Sequence, residues 1–130
     1  MKKLSLFLLL AMEILGGADL PDFRTSDILV LQDGFIALKI ENSSNSDYIP
    51  APQALDKVFL SLAINGIKRA EYKVKAVDPT IFLKRSFIVH KTNFRSGKSM
   101  RVRVELNREK VILESDFSNN TFEKDLPPTL

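Results

Sequence analysis

Glu114-Ser115-Asp116-Phe117-Ser118-Asn119-Asn120-Thr121 is the stretch whose reading decides the fold. It lies between an apolar triplet, Val111-Ile112-Leu113, and an alternating tail, Thr121 to Leu126, that stops at Pro127-Pro128. Short polar side chains bond nearby backbone groups and so shape corners. Asp116, Ser118 and Asn119 are therefore read as bonding their own backbone. Asn120 is read as a buried amide that satisfies orphaned backbone groups at the end of a sandwich. A metal reading competes with this one. Glu114, Asp116, Asn119 and Asn120 place four oxygen-bearing side chains within seven residues, and calcium takes about six to eight oxygens. The spacing is not that of an EF-hand loop, and few carboxylates are local. Glu114, Asp116 and Asn119 stand as calcium candidates, the corner is the favoured reading, and no cofactor is expected.

Outward from this run, the chain alternates with a period of two. Met100, Val102, Val104 and Leu106 interleave with Arg101, Arg103 and Glu105, which is the pattern of a half-buried strand. Asn107 to Lys110 is a polar turn. Val58 to Ile64 is another strand. Asn65-Gly66 follows it, a dipeptide favoured at type I′ hairpin turns because both residues tolerate positive φ. After it a strand is read from Lys68 to Val77, with Ala70, Tyr72, Val74 and Ala76 inward. Phe35 to Asn42 alternates in the same way after a Gln32-Asp33-Gly34 turn, and Asp27 to Leu31 reads as the first strand. Asn42 to Pro52 is a polar, proline-bearing loop, with one short helical turn over Gln53 to Asp56. Thr80 to His90 is a strand or a strand pair, and Ser96-Gly97 marks a turn. About seven strands separated by turns predict one all-β, immunoglobulin-like antiparallel β-sandwich.

Three of these segments resemble the CARDB family, a bacterial extracellular immunoglobulin-like module named for a proposed link to cell adhesion. They are Phe35 to Asn45, Phe59 to Gly66, and Gly97 to Leu106 continued by Val111 to Phe122. The resemblance spans roughly residues 23 to 126. Val77-Asp78-Pro79-Thr80 stands where the family has a glycine turn, and the Ile49 to Pro52 insert fits loosely. The resemblance implies an exported sandwich and no reaction.

Met1-Lys2-Lys3, the apolar run from Leu4 to Met12, and small residues ending at Ala18 have the layout of a secretory signal peptide over residues 1–18. Residues 19–130 are then one domain, periplasmic or extracellular. The apolar run falls short of the roughly 20 residues a bilayer span requires, so no transmembrane anchor is expected. The chain has no cysteine, which excludes disulfides and thiol chemistry. A formal net charge of +3 with both signs interspersed argues against nucleic acid as a partner.

No nucleophile–base pair can be named. His90, the lone histidine, has Lys91 and Asn93 beside it and reads as a structural residue. The expectation is therefore a non-catalytic binding or structural module that recognises a protein or a cell-surface component such as a glycan. An open sheet edge that accepts a partner strand is a specific form of this. Lys73, Lys75, Arg101 and Arg103, with Lys84, Arg85 and Lys98, form a candidate basic face. Asp47 and Tyr48 form a candidate binding loop, since loops at sandwich ends carry binding in many such domains. The alternative is a carbohydrate-binding or calcium-dependent accessory domain of an envelope enzyme. The absence of Trp weighs against a sugar platform.

Overall fold

The computed structural model describes residues 20–128. The leader read over residues 1–18 lies outside them. Seven strands are formed: β1 (Phe23–Val30), β2 (Phe35–Asn42), β3 (Val58–Ile64), β4 (Ile67–Lys73), β5 (Ser86–Arg95), β6 (Met100–Leu106) and β7 (Thr121–Leu126). They make two sheets in the orders β1-β2-β5 and β4-β3-β6-β7. Every pairing is antiparallel. The expected all-β, immunoglobulin-like sandwich is thus the observed architecture.

The alternating faces pack against each other. Ile36, Leu38 and Ile40 of β2 meet Leu60 and Leu62 of β3 and Val102, Val104 and Leu106 of β6, all fully buried. Burial of such side chains is worth about 1.5–3 kcal/mol each before the entropy of ordering them is counted. One end of the core is aromatic. Phe23 meets Phe59 and Phe82 edge-on, with ring centroids 5.0 and 5.8 Å apart, the arrangement that brings a positive ring edge to a negative ring face.

The turns follow local chemistry. Asn65 and Gly66 both take positive φ, +53° and +81°, as a type I′ hairpin needs. Asn65 Oδ1 also accepts the Arg101 amide at 2.9 Å, which ties the hairpin to β6.

Three boundaries differ from the sequence reading. β1 starts at Phe23, four residues before Asp27, and places Phe23 in the core. The strand read over Lys68 to Val77 stops at Lys73. Val74–Ala76 turns as a 3-10 helix, which buries Val74 and Val77 three residues apart and leaves Ala76 exposed. The Thr80 to His90 segment divides. Pro79–Phe82 is a 3-10 turn, started where the Asp78 carboxylate accepts the Thr80 amide at 3.0 Å, and β5 then runs past the expected end at His90 to Arg95, just before the Ser96-Gly97 turn. Asn42 anchors this crossing segment. Its Nδ2 donates to the Ile81 and Leu83 carbonyls, and its Oδ1 accepts the Asp22 and Ser44 amides.

Candidate functional site

The strand order leaves two seams where edge strands of the two sheets lie alongside each other. β1 and β7 flank one, β4 and β5 the other. They are built differently.

The β1–β7 seam is sealed. Lys124 of β7 reaches across to β1, donating to Asp27 Oδ1 at 2.7 Å and to the Ile28 carbonyl at 3.0 Å. The hydrogen bond from Lys124 holds the Asp27 carboxyl below its ordinary range. At the end of this seam stands Glu114, which is 4% exposed. Its carboxylate accepts the Phe23 amide at 2.8 Å, Asn107 Nδ2 at 2.6 Å and Asn120 Nδ2 at 2.5 Å. The start of β1 and the chain on both sides of the Glu114 corner are joined through this one side chain. Burial pushes the Glu114 pKa up, and the three N–H donors oppose that shift.

The other residues of the polar run surround this clamp. Asp116 accepts the Ser118 amide and hydroxyl at 2.8 and 2.6 Å, as its spacing predicts. Asn119 donates instead to Asp22 at 3.0 Å, far away in sequence. Asn120 Nδ2 also donates to the Leu106 carbonyl, the orphaned backbone group that the sequence reading asked for. Among the described residues, no group of three or more His, Asp or Glu side chains is placed to hold a metal ion.

The β4–β5 seam is closed only lightly. Tyr72 of β4 and His90 of β5 meet edge-on at 4.4 Å between ring centroids. His90 Nε2 is buried and has no hydrogen-bond partner, and its desolvation lowers the imidazole pKa. β5 is ten residues long, and β2 is its one neighbour in the sheet. Phe87 and Val89 lie exposed on its outer face, at 58% and 48%. Near its far end the register with β2 slips, and the Thr92 hydroxyl fills the irregularity by donating to the Ile36 carbonyl at 2.7 Å.

The basic residues divide between the seams. Arg101 pairs with Glu123 and Asp125, and Arg103 with Glu105 and Glu123, on the outer face of β6 and β7. Lys75 lies beyond β4 and pairs with Asp56. Lys73 lies at the opposite end of the sheet from Arg101, since Lys73 is opposite Val58 while Arg101 precedes the Val102–Ile64 pair. The four are not brought together into one stripe. Arg69 and Lys73 of β4, Lys84 and Arg85 before β5, Arg95 at its end and Lys98 beyond it form no ion pair among the described residues. Six of the cations that form no ion pair thus lie on or beside β4 and β5, while Lys39, Lys57 and Lys110, on β2, before β3 and after β6, form none either.

The Asp47–Tyr48 loop lies on the segment that leads into β5. Asp47 Oδ1 accepts the Lys84 amide at 2.9 Å, and the Tyr48 amide donates to the Phe82 carbonyl at 2.8 Å. Tyr48 is half-buried against Phe82, and burial raises its phenol pKa. Ile49 next to it is 89% exposed. The free edge of β5 was the feature that residue-level reading did not locate. Alternation identifies a strand, whereas an edge is defined by which strands lack a neighbour.

Comparison by sequence finds no matching family model and no matching curated protein. Among solved structures, the chain is similar to the CARDB domain of a Pyrococcus furiosus protein, crystallised in complex with di-metal ions. The match has a TM-score of 0.57 at 13% identity and covers 84% of this chain and 94% of that one. The fold resemblance read from the strand and corner segments is therefore observed in three dimensions: this chain has a CARDB-like β-sandwich fold.

Proposed function

We propose that the chain is an exported, non-catalytic binding module that recognises a protein partner by strand addition at β5. The observation that carries this reading is the asymmetry of the seams. One is sealed by Glu114 and Lys124, while the other presents a ten-residue edge strand with Phe87 and Val89 exposed. An unpaired edge offers a row of backbone N–H and C=O groups, and proteins commonly blunt such edges with charge, proline or bulges. The first half of β5, Phe87-Ile88-Val89, carries none of these, while Lys91, Arg95 and the register slip fall in its second half. A partner strand laid there gains main-chain bonds for affinity and side-chain contacts for specificity. The leader layout of residues 1–18 supports export, and N-terminal sequencing of the processed chain checks it.

The test is retention of envelope proteins by the immobilised domain, against the Phe87→Lys/Val89→Lys variant. A partner held by the parent and lost by an equally stable variant is expected. Equal retention by both overturns the edge reading.

A calcium-dependent accessory domain is the second reading, favoured by the di-metal ions of the Pyrococcus furiosus domain. The residues here do not fit it. Glu114 is enclosed and already accepts three N–H donors, Asn119 is turned to Asp22, and of the three candidates only Asp116 keeps an exposed carboxylate. A rise in melting temperature at about millimolar calcium, reversed by chelator, would restore this reading.

A further inference from the structure

Where the β4 and β5 edges run out, a cavity of about 370 Å³ opens at the end of the sandwich. Arg69 of β4, Arg95 of β5 and Lys98 of the following turn line it, together with Phe94 and Met100, and no carboxylate does. None of the three cations is ion-paired among the described residues. The Arg95 guanidinium stacks on the Phe35 ring at 4.5 Å, which orients it, and the Asp33 carboxylate, already paired with Lys91, feels its charge. The groove on the outer face of the second sheet is the useful contrast. It holds about 410 Å³, and its Arg101, Arg103 and Arg108 are matched by Glu105 and Glu123. Cations alone do not distinguish the two cavities; the absence of carboxylates does.

We propose that this cavity binds a carboxylate of an acidic peptide, the end of the partner strand that lies on β5. The inference rests on the reading of β5 as a docking edge. A strand following β5 passes Phe87 and Val89 and arrives at Phe94 and Arg95, where the cavity begins. Its residues over Phe87 and Val89 are apolar, and those beyond Arg95 are acidic. A second copy of this chain is a poor occupant. Antiparallel pairing of β5 with itself sets Lys84 and Arg85 of one copy against Arg95 and Lys98 of the other, like charge against like. The same charges that repel a copy attract an acidic segment, and they raise its association rate at low salt.

The test uses synthetic peptides matched to β5 in length, with alternating Val and Thr, binding measured by fluorescence anisotropy. One ends in Asp-Glu with an amidated terminus, a twin ends in Asn-Gln, and a third has a free terminal carboxylate and no acidic side chain. The acidic peptide should bind at least about tenfold more tightly than its amide twin. The Arg69→Gln/Lys98→Gln variant, with an unchanged melting temperature, should erase that difference. Preference for the third peptide over the amide twin assigns the cavity to a chain terminus rather than to acidic side chains. Equal binding of all three overturns the carboxylate anchor and leaves the β5 edge standing. So does a partner retained through Phe87 and Val89 whose affinity is indifferent to Arg69 and Lys98. Competition by inorganic phosphate as strong as that of the peptide overturns the proposal in favour of a free-anion site. Retention that does not depend on Phe87 and Val89 overturns the edge reading itself.

Discussion

The two seams of this sandwich are each bordered by one edge strand from either sheet, yet one is stitched shut and the other is not. Along β1 and β7 a buried carboxylate and a lysine each reach the opposite sheet with hydrogen bonds. Along β4 and β5 two rings touch, and one ring nitrogen is left without a partner. Hydrophobic burial holds the sheets together at both seams. Polar bonding distinguishes them, because a buried donor or acceptor left unmade costs more than one made gains. The sealed side is where stability should be most sensitive to polar substitutions. The open side is where they should affect recognition instead.

Glu114→Ala is expected to break the comparison most severely. It strands the Phe23 amide and takes one of two acceptors from each of Asn107 Nδ2 and Asn120 Nδ2, and a loss of about 3–5 kcal/mol in urea unfolding is expected. Glu114→Gln keeps one acceptor oxygen and should lose less. The pH sign is distinctive. Because the folded pKa of Glu114 is raised above its ordinary 4.5, the folded state holds this proton longer than the unfolded one. The contribution of this group to stability therefore falls as pH rises through that window.

Lys124→Met should cost about 1 kcal/mol, the scale of a partly exposed ion pair with one added backbone bond. This effect is present above the ordinary Asp value of 3.8. It fades as pH falls toward the lowered value of Asp27 in the fold. On the open seam, His90→Phe keeps a ring against Tyr72 and removes the unpartnered nitrogen. The folded His90 pKa is depressed below 6.5, so the parent should lose stability as pH drops through that value. The variant should show a flatter melting temperature between about pH 7.5 and 5.5. Smallest of all, Phe87→Lys/Val89→Lys should leave stability within about 0.5 kcal/mol while abolishing partner retention. A large destabilisation by this exposed pair would mean that the β4–β5 seam is part of the structural core after all.

How much of this was legible in the sequence depends on whether the relevant interaction is local. Phe35–Asn42, Val58–Ile64, Met100–Leu106 and Thr121–Leu126 are read to the residue. Each alternates cleanly and ends at a turn residue or a proline. Residues 74–83 were misread because 3-10 turns bury Val74 and Val77 at a spacing of three, which blurs a period of two. Phe23 was missed because a polar stretch separates it from the apolar run. The Glu114 corner was recognised as architecture from its Asx-type spacing. One of its three donors, the Phe23 amide, lies 91 residues away, and a carboxylate with a partner so far along the chain looks locally like one waiting for a metal. The open edge follows from the absence of a neighbour, which no run of residues encodes.

The sealed seam also has a place in time. Its bonds join Phe23 to Glu114, Asp22 to Asn119 and Asp27 to Lys124, sequence separations of 91, 97 and 97 residues. Ribosomes deliver β1 first and β7 last, so these bonds form only when nearly the whole domain has emerged. A nascent chain can pair β1 with β2 early, but its flank stays unlatched until the Glu114 corner and Lys124 arrive. Contacts of such separation form late and slow folding. Proteases that attack unlatched edges should therefore tell incomplete chains from finished ones at β1, while β5 stays equally accessible in both.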